Sequence, residues 1–518
     1  MSEVVLDGES LTPHEVERVA REGAPVSVSD DARERIRASR ERVEAAIDSG
    51  ESVYGLNTGF GHLVDTRIDP DDVETLQENL VRSHSAGVGR ELDPEEVRGL
   101  MVTRANTLAK GYSGIRPVVV DLLCDMLNAG VHPVVPSRGS LGASGDLAPL
   151  AHVASVLIGE GEALVDGTRY PGADALAAAD LTPVTLRAKE GLALINGTQL
   201  TVALAALVVV DAERVLDAVD AAGALTTEVT MGTTANCDPA VNAVRPHRGQ
   251  AESAKNVRLL TDGSEVIESH RNCDRVQDAY SIRCLPQVHG AVRDSVRHLR
   301  EAVEVELNSA TDNPLVFPPG DVDDRASGGE RAAVISAGNF HGEPLALRLD
   351  YTAGALTDLA AIAERRVDRM LNPDVQEPHL PPFLTEHSGL QSGLMIAQYT
   401  AAALLNECRS LGRPSLDSTP VSGGQEDHVS MSGQSALNAR TVLENVATVV
   451  GVELVCAAQG AEFIDDDLSL GDGTRETYDA VRELVPKLDA DRALSPDIEA
   501  ARDLARSDAF SALLDSLA

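Results

Sequence analysis

The chain has 518 residues, 43% of them apolar but only 3% aromatic and none of them Trp, so a large core must be filled by Ala, Leu and Val, the composition of closely packed helices. Lys and Arg number 44 against 82 Asp and Glu, a net charge of −38 that repels nucleic acids and anionic membrane surfaces. The acidic residues are spread along the chain, as at Asp69, Asp93, Asp321 and Asp465, and Lys occurs only at Lys110, Lys189, Lys255 and Lys487, a surface suited to a salt-rich cytoplasm that screens self-repulsion.

The first twenty residues carry neither a basic n-region nor an apolar stretch, so no export signal is read and a cytoplasmic protein is expected. Thr12-Pro13-His14-Glu15 fits a capping box with Pro at the first helical position. Residues 30–49 predict an Arg- and Glu-dense helix stopped by Gly50. Helical patterns follow at about 71–82, 94–110, 115–129, 197–220, 289–308, 343–370, 388–410, 433–458 and 496–517. In 433–458, Val442, Val446, Val449, Val450 and Leu454 recur at three-to-four spacing with few charges between them, as in a helix surrounded by others. Strand signals are confined to 163–165, 315–317 and 334–336, the last two flanking a polar, Gly-rich loop at 318–331. Strands and helices do not alternate, so the fold is expected to be mainly α. The organisation expected is an N-terminal part at 1–190, a central helical part at 191–460 and a C-terminal helical segment at 461–518. The apolar run at 201–210 is too short to span a bilayer, and the six scattered cysteines, without paired-ligand spacing, read as reduced thiols. The dispersed histidines form no metal-binding spacing, so no metal is expected.

One loop asks for more than a connector. In Gly139-Ser-Leu-Gly-Ala-Ser-Gly-Asp-Leu-Ala-Pro149, small residues at 142–145 let the backbone fold back on itself. Attack of the Gly145 amide nitrogen on the Ala143 carbonyl carbon would close a five-membered ring. Loss of two waters, one from Ser144, would leave a 4-methylidene-imidazol-5-one, an electrophile that no ordinary side chain supplies. Bringing those atoms together requires backbone strain. A phosphate cradle is the competing reading, but the loop lacks the Lys-Ser/Thr ending of a P-loop and the spacing of a dinucleotide fingerprint.

The same eleven residues resemble the signature of the aromatic amino-acid ammonia-lyase family. The resemblance extends to Tyr54-Gly-Leu-Asn-Thr-Gly-Phe-Gly61, Asn196-Gly-Thr, Gln277-Asp-Ala-Tyr-Ser-Ile-Arg-Cys-Leu-Pro-Gln287, Asn313-Pro, Gly338-Asn-Phe-His341 and Gln425-Glu-Asp-His-Val-Ser-Met431, from about residue 50 to 460. It implies a long antiparallel helical bundle with a loop-rich N-terminal part. It also implies a homotetramer with active sites shared between chains, and a self-made imidazolone at Ala143, Ser144 and Gly145 with no external cofactor.

The family's chemistry gives each motif a role. Deamination must improve a poor leaving group and remove a barely acidic β-proton, so an electrophile at Ser144 and a base are both needed. The resemblance implies Tyr54 as that base or its helper, with Glu426 left open as the alternative. Arg283 suits a substrate carboxylate, because a guanidinium grips two oxygens at once. Tyr280 and Gln277, three and six residues earlier, would share a helix face with it. Asn196 resembles the family's contact to the imidazolone oxygen or the amine, and Phe340 would pack beside the prosthetic group. His84 matches a position where histidine-specific members carry His. Glu426 stands where members acting on Phe or Tyr resemble Asn-Gln-Asp, and a carboxylate has use for an imidazole N–H but little for a benzene ring. The expected reaction is therefore L-histidine to trans-urocanate and ammonia. The alternatives are the same chemistry on Tyr or Phe, an aminomutase, or a helical scaffold without catalysis. A fumarase-like lyase is excluded by the absence of Gly-Ser-Ser-x-x-Met-Pro.

Overall fold

The computed structural model describes residues 2–48, 68–69, 72–271, 273, 275–322 and 326–518. The motif that begins at Tyr54 lies outside them. The chain is mainly α, as expected, and its contacts divide it into two compact units. The first comprises 1–207, 299–350 and 413–437; the second comprises 208–298, 351–412 and 438–518. Four long helices, Gln199–Val229, Leu285–Leu307, Glu343–Leu371 and Ser432–Ala461, contribute residues to both.

Local sequence explains several helix starts. Thr12 accepts the Glu15 N–H while Glu15 reaches back to the Thr12 N–H, closing the predicted capping box. Asp93 and Glu96 form a second box ahead of helix Pro94–Ala109. Of the boundaries that differ from the periodic reading, two have a clear local cause. The helix expected from 388 begins at Met395, because Gly389 and Gly393 take φ of +96° and +58° and break the turn. The last helix is two, Ser495–Ala505 and Ala509–Leu517, because the Ser507 hydroxyl takes the Ala509 N–H and gives the second its own start. Helix Ser432–Ala461 is long and apolar enough to cross a membrane by length and composition alone, but 83% of its most apolar window is buried inside the molecule, as a core helix requires.

In the first unit short strands tie the loops around the helices. Val4–Leu6 pairs in parallel with Val26–Val28, and Glu162–Val165 lies antiparallel between His132–Pro133 and Thr168–Pro171. Leu315–Phe317 pairs antiparallel with Ala333–Ile335 across the loop foreseen at 318–331. Val88–Glu91 pairs with Pro136–Arg138, which delivers the chain into the Gly139 loop. Helix Leu147–Leu157 follows that loop directly, so the Ala143-Ser144-Gly145 turn is held between a strand and a helix.

Candidate active site

The Gly139 loop is clamped by three distant segments of the first unit. The Leu141 carbonyl accepts from the Met431 N–H at 2.7 Å, and the Gly142 carbonyl accepts from the Ser430 hydroxyl at 2.9 Å and the Gly342 N–H at 3.0 Å. The Asp146 N–H donates to the Gly197 carbonyl at 2.6 Å. Asp146 itself is fully buried; it accepts from the Ser140 hydroxyl at 2.6 Å and from the Thr201 N–H at 2.8 Å. Burial raises its carboxyl above the usual range, and those hydrogen bonds work the other way. A Cβ at Gly145, whose φ is +75°, would stand 2.1 Å from the Gly197 oxygen. Only glycine can occupy that position with the clamp in place.

Ser144 faces a cavity of about 430 Å³ walled by Leu192, Asn196, Asn313, Phe340, His341 and the 425–428 segment. Its hydroxyl donates to Glu426 Oε1 at 3.2 Å, and its carbonyl oxygen accepts from Asn196 Nδ2 at 2.8 Å. The other amide atom, Asn196 Oδ1, is buried without a hydrogen-bond partner. An unpaired buried acceptor costs about 1–3 kcal/mol, so it waits for a donor. Asn196 is in turn fixed from behind. The fully buried Arg104 donates to the carbonyls of Asn196, at 2.9 Å, and Ala193, and to Gln199 Oε1 at 2.8 Å. Burial pushes the Arg104 guanidinium down to about 10, still charged at neutral pH. Beside it Lys189 pairs with Asp312 at 2.9 Å, and the same carboxylate receives the Asn313 N–H at 2.6 Å. Asn313 then holds the Ala337 N–H and the Ser336 hydroxyl, at 2.7 and 3.2 Å.

Of the residues singled out in the sequence, Ala143, Ser144, Asn196, Phe340 and Glu426 meet at this cavity, and Gly145 follows Ser144 in the turn packed on Gly197. His84 does not line it. It is the last residue of helix Val73–His84, and its Nδ1–H donates to the Leu80 carbonyl at 2.8 Å. Gln277, Tyr280 and Arg283 belong to the second unit, where they gather with one another. Arg283 donates to Gln277 Oε1 at 2.6 Å and stacks over the Tyr280 ring at 5.8 Å. They do so without sharing a helix face: helix Tyr280–Arg283 begins after Ala279, whose ψ of 149° leaves Gln277 outside it. All three side chains are exposed. Gln277 also borders a cavity of about 490 Å³ in that unit, lined by Arg258, His270 and Arg275. Tyr54 lies outside the described residues.

Arg104, Asp146 and Asp312 were not singled out from the sequence. Their signal is a charged residue within or beside an otherwise apolar or small-residue stretch, such as Arg104 in the almost wholly buried helix Pro94–Ala109.

The fold that carries this site has counterparts of known structure. A histidine ammonia-lyase from Trypanosoma cruzi superposes with a TM-score of 0.90, is 40% identical and is covered over 95% of its length by 99% of this chain. A tyrosine aminomutase from Streptomyces globisporus superposes with a TM-score of 0.91 at 40% identity, covering 99% of this chain and 98% of its own. The backbone alone therefore does not select among substrates or outcomes. A protein of Halobacterium salinarum named probable histidine ammonia-lyase is 66% identical over 517 residues, 99% of this chain and 98% of that protein. Residues 11–483 match the family described as aromatic amino acid lyase, and the chain belongs to that family.

Proposed function

We propose that the protein removes the α-amino group of L-histidine to give trans-urocanate and ammonia, the opening step of histidine breakdown. The observation that carries this reading is the junction at Ser144, whose carbonyl receives Asn196 and whose hydroxyl reaches Glu426. The residues fit a 4-methylidene-imidazol-5-one: the glycine turn admits no side chain at 145, and Asn196 already donates to the oxygen that would become the ring carbonyl. Such a group, made from Ala143, Ser144 and Gly145 without an external cofactor, supplies an electrophilic carbon for the substrate's amine.

The remaining work falls to ordinary side chains. Asn196 Nδ2 holds negative charge at the Ser144 carbonyl oxygen, and its Oδ1 is free to accept from an amine. Glu426 is half-buried on the cavity wall, where it can accept an imidazole N–H; against a benzene ring it would be left unpaired. Tyr54 or Glu426 takes the β-proton. The cavity's lining among the described residues includes no Arg or Lys for the substrate carboxylate. We assign that task to Arg283, supplied with Tyr280 and Gln277 by a neighbouring chain of a homotetramer in the cytoplasm. His84 would act in substrate selection.

The test is urocanate absorbance from purified enzyme offered histidine, tyrosine and phenylalanine in turn, with intact mass to detect the loss of two waters. Histidine alone should be turned over. Glu426→Gln should lower kcat/KM on histidine by about 10- to 100-fold, the worth of a hydrogen bond to a charged group. Faster turnover of tyrosine than of histidine would favour the aminomutase or tyrosine-lyase reading.

A further inference from the structure

Deamination carries a proton problem beyond the β-carbon. A substrate ammonium becomes nucleophilic only after giving up a proton, and nitrogen departs as ammonia only after regaining one. Some group must keep that proton in the interval. Imidazole changes charge near neutral pH and suits the task, and two imidazoles stand on the cavity wall, His341 and His428.

Their surroundings separate them. The rings are parallel within 5° with centroids 5.8 Å apart. His341 is engaged at both nitrogens: Nε2–H donates to the His428 carbonyl at 3.3 Å, and Nδ1 accepts the Glu343 N–H at 3.4 Å. Those two bonds fix the ring, whose part is to hold the segment that carries His428 and Glu426. The His428 ring is more than half exposed and makes no hydrogen bond among the described residues. Its Nε2 lies 3.9 Å from Glu343 Oε2. That carboxylate oxygen is itself buried and has no hydrogen-bond partner. A donor on His428 supplies what the oxygen lacks.

We propose, on the reading of the site as a histidine deaminase, that His428 is a further catalytic residue that stores the amine's proton, with Glu343 and His341 as positioning residues. The substrate ammonium passes one proton to His428 Nδ1 while Nε2–H faces Glu343. When the base removes the β-proton, the C–H electron pair becomes the new C=C bond and the C–N pair leaves with nitrogen. Nitrogen then takes the proton back from Nδ1, departs as ammonia and leaves His428 neutral. The β-proton goes to solvent from its base. Among the described residues the charged groups around His428 are Glu343, at the N-terminus of helix Glu343–Leu371, and Glu426 and Asp427 on its own segment, with His341 opposite.

The experiment compares wild type, His428→Gln and Glu343→Gln by the pH dependence of kcat, which reports groups in the bound complex, and by intact mass. His428→Gln should lose about 10²-fold in kcat with a much smaller change in KM, and its activity should no longer fall at acid pH with the wild-type midpoint. Glu343→Gln removes the carboxylate that faces Nε2, so the acid limb should move to lower pH. Both should keep the loss of two waters. Should His428→Gln not mature, Glu343→Gln, which leaves the ring in place, decides alone. Wild-type kcat and acid limb in His428→Gln, or an unmoved limb in Glu343→Gln, overturns the proposal. A wild-type enzyme that makes no urocanate defeats the functional reading instead.

Discussion

Two polar clusters, one in each unit, show what separates a structural network from a reactive one. In the second unit Asp220 accepts from His289 Nδ1–H at 2.7 Å, Arg293 at 2.7 Å and Asn256 at 2.9 Å. His289 Nε2 accepts from Arg366 at 3.1 Å, and Arg366 also grips Glu453 with two bonds of 2.5 and 2.8 Å, while Thr226 donates to Glu453 at 2.9 Å. Asp220, His289, Arg366 and Glu453 are fully buried, and the two carboxylates balance the two guanidinium groups around a neutral imidazole. At the cavity of the first unit Asn196 Oδ1 is also buried but has no hydrogen-bond partner. Burial is common to both clusters. What differs is whether the last hydrogen bond comes from the chain or is left for something that enters the cavity.

The largest effect should follow from removing the reactive serine. Ser144→Ala should lose turnover by roughly 10⁴-fold or more, with the thermal unfolding transition unmoved, because only its hydroxyl bond to Glu426 disappears from the folded chain. Intact mass should show no loss of two waters. A near-normal rate would sink the mechanism. The converse change belongs to the second unit. Arg366→Met leaves Glu453 charged and buried, which should cost about 3–5 kcal/mol of stability by denaturant titration. Below the unfolding transition its kcat should stay near wild type. A large fall in kcat without a fall in stability would erase the distinction between the clusters.

The buried network should also respond to acid. Burial, with Arg366 and Arg293 nearby, pushes the His289 imidazole down to about 4 despite its bond to Asp220. An unfolded histidine titrates near 6.5, so between those values the unfolded chain binds the extra proton. Stability should therefore fall as pH drops from about 6.5 to about 4, by at most about 3 kcal/mol from this residue. Urea titrations across that window check it, and His289→Asn should flatten the slope.

Legibility in the sequence follows the same physics. Long helices with apolar stripes were readable because their buried faces repeat, as in Ser432–Ala461. Helix Arg248–Leu260 was not, because its buried face includes Gly249, Gln250, Ser253 and Asn256, residues that do not mark an apolar stripe. Helix Asp472–Leu484 separates its charged and buried sides clearly, but the buried side is Gly473, Thr474, Thr477 and Val481, of which only Val481 is a large apolar residue. At the site, Ser144, Asn196 and Glu426 carry their chemistry in local motifs. The supports do not: Arg104 is held by the carbonyls of Ala193 and Asn196, and Asp146 by Thr201. Partners of that kind depend on the fold rather than on any motif. The strand pair of Val88–Glu91 with Pro136–Arg138, which delivers the loop, was invisible because Val88–Glu91 is exposed throughout and shows no alternation.

The smallest effect is expected where a cluster looks complete but is assigned to the reactive kind. Arg283 is already bonded to Gln277 and stacked over Tyr280, so by hydrogen bonding alone it resembles the satisfied network. Its exposure separates it: a guanidinium held in place by a neutral amide and an aromatic face keeps its full charge and most of its donors for a ligand. If it grips the substrate carboxylate, Arg283→Lys keeps the charge but loses the planar fork. KM for histidine should rise and kcat fall, each by about 10-fold or less, with the unfolding transition and the two-water mass loss unchanged. Because an exposed arginine contributes little to stability, any large destabilisation would mean that the trio at 277–283 is structural. Unchanged kinetics would instead leave the carboxylate without its assigned partner and return the search to the residues around Tyr54.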